Sequence, residues 1–164
     1  MKQLWAPWRM EYILNEVDKH DGCIFCELPA EKDDPKNLIL YRTAYCFVIL
    51  NKYPYNNGHL MVVPYKHTGN LLDLSDDILL DIQQTIRKVI EVMNHILHPQ
   101  AMNIGMNIGR TAGAGIADHI HYHIVPRWDG DTNFMPVIAG TKIVSESLRT
   151  TWKKMHDEFV RLYG

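Results

Sequence analysis

Three imidazoles occupy alternate positions in His119-Ile120-His121-Tyr122-His123-Ile124-Val125. Period two is the repeat of a β-strand, so the three rings share one face, and Ile120, Tyr122 and Ile124 share the other. At a rise of roughly 3.3 Å per residue, His119 and His121 stand about 6.6 Å apart and His119 and His123 about 13 Å. Neighbours can share a metal ion; the outer pair cannot without distortion. The run therefore points to divided roles. A metal pair at His119 and His121, or a chance run on a solvated strand, are the other readings. An unprotonated imidazole is also a competent nucleophile toward phosphorus. That chemistry needs one bare ring nitrogen, with the other donating to a fixed acceptor.

The chain has three cysteines, an odd count and too few for a disulfide framework in 164 residues. Cys46, inside Tyr45-Cys46-Phe47-Val48-Ile49-Leu50, reads as a small buried hydrophobe. Cys23-x-x-Cys26 reads as two reduced thiols, as a redox motif, or as half of a metal site. Glu27-Leu28-Pro29 predicts no amphipathic helix behind it, which argues against the redox motif. The supply of histidines raises the metal reading, since two of them would complete a closed tetrahedron. Gly109-Arg110-Thr111-Ala112-Gly113-Ala114-Gly115 is either a plain loop or a place where backbone N–H groups converge on an anion.

Strands are predicted at Leu38–Tyr41, Tyr45–Leu50, His59–Val63, Met102–Ile108 and His119–Val125, with Asn56-Asn57-Gly58 as the turn before the third. Ser75 with Asp76 and Asp77 starts a helix, which Ile78, Ile82, Ile86, Ile90, Met93 and Leu97 continue until Pro99. Leu148, Trp152, Met155, Phe159 and Leu162 make a second helical stripe. Pro7 begins a short helix carrying Leu4, Trp8 and Tyr12, and Glu31–Asn37 reads as a surface loop. Strands, helix, strands, helix, without βαβ alternation, predict an α+β domain with helices on one face of an antiparallel sheet. His20, His95, His98 and His156 have no evident partner and are expected to face solvent.

With 46% hydrophobic residues, 164 residues suffice for one core and one domain. Seventeen Lys plus Arg against nineteen Asp plus Glu leave a net charge of −2, which speaks against nucleic acid and against an anionic membrane as partner. The longest apolar stretch, Ala44–Leu50, is seven residues, against about twenty for a membrane span. The first residues lack the apolar core of a secretory signal, so a soluble, cytoplasmic protein is expected.

The triad with apolar spacers, followed by Pro126, resembles the signature of the histidine triad (HIT) superfamily. Asn51, ahead of the Gly58-His59 strand start, and Val62-Val63-Pro64-Tyr65-Lys66-His67 are similar to family segments, and the likeness runs from about Cys23 to Val125. Trp5-Ala6-Pro7-Trp8-Arg9, Gly113-Ala114-Gly115 and Pro126–Phe134 resemble the bacterial diadenosine tetraphosphate phosphorylase branch. The resemblance implies a single HIT domain over 1–164, with an N-terminal extension over 1–22 and a C-terminal helix over 145–164. Its sheet would have about five antiparallel strands, with a long helix and the C-terminal helix packed on it.

By the same resemblance His121 is the nucleophile, forming a nucleotidyl-histidine, and His123 donates to phosphate oxygens or the leaving group. Cys23, Cys26, His67 and His119 would hold a structural zinc. Asn51 would bind ribose, and Asn107 phosphate near the scissile bond. Ile24, Phe25 and Ile49 would wall the base, while Gly113, Ala114, Gly115 and His59 complete the nucleotide site. Trp128 would border the polyphosphate or second nucleotide. Where the family usually has a hydroxyl residue shortly before the triad, this chain has Gly115-Ile116-Ala117.

The implied reaction turns diadenosine tetraphosphate and phosphate into ADP and ATP. Adenine nucleotides or dinucleoside polyphosphates and inorganic phosphate are thus the expected partners, within a homodimer. The alternatives are a HIT nucleotide hydrolase with water as acceptor (on a dinucleoside polyphosphate or a nucleoside phosphoramidate), a metallohydrolase with zinc at His119 and His121, and a non-catalytic nucleotide sensor.

Overall fold

Short apolar segments separated by turn residues build one five-stranded antiparallel sheet. The strands are β1 (Ile39–Arg42), β2 (Cys46–Leu50), β3 (Leu60–Pro64), β4 (Ala101–Gly105) and β5 (Tyr122–Arg127), in the spatial order β1-β2-β3-β5-β4. The computed structural model describes residues 22–131 and 146–164. The expected helix at Pro7 with Leu4, Trp8 and Tyr12, and also Trp5, His20 and Thr132-Asn133-Phe134, lie outside the described residues.

Strand register divides the sheet into two faces. Phe47↔Val63, Ile49↔Met61, Met61↔His123 and Gly105↔His123 put these side chains on one face, since directly paired residues point the same way. Val48↔Val62, Leu50↔Leu60, Val62↔Tyr122 and Ile104↔Ile124 belong to the other. On that second face pack the long helix and the C-terminal one, as expected. Ile82, Ile86, Val89, Val92, Met93, Met155 and Phe159 bury themselves there among Val48, Leu50, Leu60, Val62, Ile120 and Ile124.

Four α-helical segments are present among the described residues: α1 (Ile24–Ala30), α2 (Asp34–Asn37), α3 (Asp76–Ile96) and α4 (Leu148–Tyr163). The buried line of α3 runs through Ile82, Thr85, Ile86, Val89, Val92 and Met93, spaced three and four apart. Ile78, Ile90 and Leu97 flank it as partly buried neighbours, because steps of four alone drift round a 3.6-residue helix. On α4 the Ser147 hydroxyl accepts from Thr150 N–H at 3.2 Å, and Trp152 Nε1–H donates to the Ile39 carbonyl at 2.9 Å.

Three expectations are corrected. β5 begins at Tyr122, not at His119, and β4 ends at Gly105, not at Ile108. The first has a local cause. Continuing the β3–β5 register would bring Pro64 opposite Ile120, and Pro64 has no N–H for a ladder. Ile120 N–H instead donates to the Thr68 carbonyl at 2.8 Å. The stretch expected as a loop over 31–37 contains the one-turn α2, where Asp33 accepts from Lys36 N–H and Asn37 Nδ2 donates to the Leu28 carbonyl.

Candidate nucleotide site and its metal-ligand cluster

The CxxC starts a helix after all. Cys23 is the N-cap of α1, and its carbonyl accepts from Cys26 N–H at 2.9 Å and Glu27 N–H at 3.0 Å. One turn of helix thus sets the two thiols side by side. His67 follows β3, and its segment is held against the loop before the triad. A Cβ on Gly69 would meet the Ala117 carbonyl oxygen at 2.4 Å, so only glycine allows that approach.

The ligand atoms of Cys23, Cys26, His67 and His119 all lie within 4.8 Å of one another. Cys23 Sγ is 3.3 Å and Cys26 Sγ 3.7 Å from His119 Nδ1; Cys26 Sγ is 3.5 Å from His67 Nδ1, and the two Nδ1 atoms are 3.2 Å apart. Tetrahedral zinc, with bonds near 2.3 Å to sulfur and 2.05 Å to nitrogen, would have edges of about 3.5 Å between S and N and about 3.3 Å between N and N. The donor set and its spacing fit that ion. His119 Nε2–H donates to the Pro64 carbonyl at 2.8 Å, which leaves Nδ1 bare toward the cluster. Burial and the neighbouring Cys23 hold the Cys26 thiol above its ordinary value.

His121 does not join this cluster. Its Nδ1 lies 2.8 Å from the His119 carbonyl, which can only accept; Nδ1 therefore carries the proton and Nε2 the lone pair. The ring is 5% exposed, and burial lowers its pKa. Phe25, brought in by α1 between the two cysteines, lies against it at 5.0 Å and against His119 at 5.5 Å. His123 stands edge-on to His121 at 4.9 Å, and burial, then His121, push its pKa down to about 4. All three imidazoles occupy one face although only His123 is in the ladder, because an extended backbone alternates whether or not it is paired.

Phe25, Ile49 and Met61 form an apolar cluster on the same face, with Ile24 and Ile116 packed against it. Asn51 directly follows β2 nearby, its Nδ2 3.9 Å from Met61 Sδ. Extending the β4–β5 register by two residues sets Asn107 abreast of His121. Asn107 Nδ2 reaches the Gly113 carbonyl at 3.5 Å, inside the glycine loop where Gly113 has φ +93 and Ala114 N–H donates to the Gly109 carbonyl. Gly115 is exposed in the same loop.

His59 is fully buried behind His123, 2.9 Å from it through Nε2. Trp128 is not gathered with these residues. It lies just past the end of β5, five residues from His123 and roughly 16 Å along an extended chain, and its Nε1–H donates to the His98 carbonyl at 3.2 Å.

Tyr55, Met61 and Gly105 also belong to the triad face, and the sequence reading passed over them. Tyr55 lays its ring 4.6 Å from His59 and 5.8 Å from His123. Its position four residues before His59 across Asn56-Asn57-Gly58 was the one available signal. A Cβ on Gly105 would meet nothing within 4 Å, so the face beside His123 is open. Two histidines expected to be unpartnered are not: His95 Nδ1 bonds Glu158 Oε1 at 2.7 Å, and His156 stacks on Trp152 at 4.6 Å.

Among curated proteins, the chain is 37% identical over 168 residues to an AP-4-A phosphorylase of Mycobacterium tuberculosis, covering 98% of this chain and 86% of that protein. It is 30% identical over 117 residues to an adenosine 5'-monophosphoramidase of Candida albicans, covering 69% and 75%. Among solved structures, a hypothetical histidine triad nucleotide-binding protein from Sulfolobus tokodaii superposes with a TM-score of 0.70 at 28% identity, covering 85% of this chain and 93% of that one. A Zn-bound histidine triad family protein from Mycobacterium smegmatis gives 0.69 at 22% identity, covering 87% and 96%, a likeness of fold. A family model described as the HIT domain matches residues 32–130, which include the whole sheet and the triad, and the chain accordingly belongs to the HIT domain family.

Proposed function

We propose that this single-domain chain is a nucleotide-processing enzyme that cleaves dinucleoside polyphosphates, turning diadenosine tetraphosphate and phosphate into ADP and ATP. One observation carries the reading. His121 keeps a bare Nε2, with its Nδ1–H tied to the His119 carbonyl, outside the metal-ligand cluster. Attack by Nε2 on the α-phosphorus forms the N–P bond and expels ATP; phosphate then takes the adenylyl group from His121 and leaves as ADP. The proton donor beside this centre is His123, which supplies a hydrogen bond to phosphate oxygens or the leaving group. The relative named AP-4-A phosphorylase, matched over nearly the full chain, supports the same substrate.

In this reading Phe25, Ile49 and Ile24 wall the base, Asn51 meets the ribose, and Asn107 with the Gly113-Ala114-Gly115 loop meets phosphate. Cys23, Cys26, His67 and His119 hold a structural zinc, which would tie α1, the segment after β3 and the triad together. The ring placement of His121 disfavours a zinc-activated water shared between His119 and His121. A second copy of the chain would pair along β4, an edge strand whose residues are mostly exposed, Ile104 among them. We place the protein in the cytoplasm, where CxxC thiols stay reduced.

The test is to incubate the protein with diadenosine tetraphosphate, with and without inorganic phosphate. Phosphate-dependent ATP and ADP are expected, and His121→Ala should abolish turnover while nucleotide still binds. Products formed equally without phosphate would replace the phosphorylase by a hydrolase. Loss of folding in His121→Ala would remove the assignment of that residue.

A further inference from the structure

The residues around His123 determine more than its position. Tyr55 N–H points at His59 Nδ1 from 3.1 Å. A backbone amide can only donate, so His59 Nδ1 must be the bare, accepting nitrogen, and neutral His59 then carries its proton on Nε2. That Nε2 is 2.9 Å from His123 Nδ1. The direction of the second bond follows from the first: His59 donates, and His123 Nδ1 accepts.

We infer that Tyr55 N–H and His59 are positioning groups that keep the proton of His123 on Nε2, so that this histidine meets the substrate as a hydrogen-bond donor through a fixed nitrogen. The inference rests on the nucleotidyl-transfer reading for its catalytic consequence, though not for the proton's place. The two neighbouring imidazoles of the triad are thereby set in opposite senses. His121 has its proton on Nδ1 and its lone pair on Nε2; His123 has the reverse. A nucleophile and a donor are made from the same side chain, one by a carbonyl and the other by an amide two bonds away.

The device is local in sequence and anchored at a distance. His59 N–H donates to the Asn56 carbonyl at 3.0 Å, closing the turn that returns His59 beneath the amide of Tyr55. Gly58 supplies the φ of +78 that this turn requires. Asn56 Nδ2 bonds the Pro126 carbonyl at 3.0 Å and Asp131 Oδ2 at 2.7 Å, fixing the turn to the end of the strand that carries His123. The Tyr55 ring covers both imidazoles from outside. A proton added to either Nδ1 would face an N–H of its partner, so the chain also resists protonation.

Two replacements of nearly equal size and opposite polarity test this. In the full-length protein at pH 7.5, ring 15N shifts should report a bare Nδ1 and a protonated Nε2 on His123. His59→Gln can still donate to His123 Nδ1 and should keep that tautomer; His59→Glu presents a carboxylate and should move the proton to Nδ1. With diadenosine tetraphosphate and inorganic phosphate as substrates, His59→Gln should retain kcat within about tenfold. His59→Glu should lose about a hundredfold in kcat with KM changed by less than about threefold. A wild-type spectrum with the proton on His123 Nδ1 overturns the inference, whatever the variants do. Equal kcat in two variants shown to hold opposite tautomers overturns its catalytic consequence. A wild-type protein that fails to turn over diadenosine tetraphosphate would refute the proposed function instead, and the ring shifts would still decide the tautomer.

Discussion

Stripping and reloading metal gives the sharpest test of the four-residue cluster. The S-to-N distances of 3.3, 3.5 and 3.7 Å and the N-to-N distance of 3.2 Å differ by about 0.2 Å or less from the edges of a zinc tetrahedron. An ion can therefore enter with little rearrangement. The ligands come from three separated parts of the chain, His67 lying 41 positions after Cys26 and His119 52 positions after His67, so an unfolded chain cannot present them together. A ligand bound only by the folded state stabilises it by about 2.7 kcal/mol at a hundredfold excess over Kd and about 4.1 kcal/mol at a thousandfold. For a chain of this size, that corresponds to a rise in Tm of roughly 5 to 15 °C. The assay is thermal unfolding of chelator-stripped protein across buffered free zinc, with Kd measured separately by chelator competition. Cys26→Ser should remove most of the shift. Because the Cys26 thiol sits above its ordinary value without metal, loading at pH 7.5 should also release protons into weak buffer. A Tm that moves by less than about 1 °C in saturating zinc, or a Cys26→Ser protein that shifts as much as wild type, would refute the reasoning.

Other consequences follow from single positions. Gly58→Ala should destabilise by about 2–3 kcal/mol in urea titrations: a φ of +78 is costly for alanine, and the new Cβ would lie 2.3 Å from Leu97 Cδ1, whose side chain must turn away. Gly130→Ala, with φ +75 but open space around it, should lose only about 1–2 kcal/mol, and equal losses would remove the Leu97 contact from the argument. Gly105→Val has room on an edge strand and should melt within about 2 °C of wild type, yet weaken nucleotide binding by about tenfold or more by filling the face beside His123; calorimetric titration with AMP showing unchanged affinity would place the nucleotide elsewhere. His123 titrates at about 4 when folded, against an ordinary value of 6.5. Between those values the unfolded chain takes up a proton that the folded one refuses, so stability is full above about pH 6.5 and falls toward pH 4. Urea midpoints measured at pH 7.5 and pH 5 should show the fall in wild type and a smaller one in His123→Gln.

His119 and His121, two residues apart, are held in different surroundings. His119 turns its Nδ1 into the metal-ligand cluster and gives its carbonyl to His121, so the backbone of one residue orients the ring of the other. Phe25 contacts both rings from a helix that begins at Cys23. The four-residue cluster and the His121 ring are thus mechanically joined through Phe25 and the His119 backbone.

Local pattern alone determined the positions of the five strands to within a few residues, the two long helices and the histidine face, whereas the continuous apolar runs of β2 and β3 left their two faces to strand register. Alternation, 3.6-residue periodicity and turn residues such as Asn56-Asn57-Gly58 act over a few residues and need no partner to be read. The CxxC and the triad showed which side chains could do chemistry, and their spacing already ruled out one ion shared by the outer two imidazoles. Only the tertiary structure decided who meets whom. His95 finds Glu158 from 63 residues away; Ile120 leaves the ladder because Pro64, across the sheet, has no N–H; and the protonated nitrogen of His123 is set by an amide that reaches it through His59. Each of these depends on a donor or acceptor brought in by a distant segment, and hydrogen-bond direction is a property of the pair, which a one-dimensional pattern does not contain.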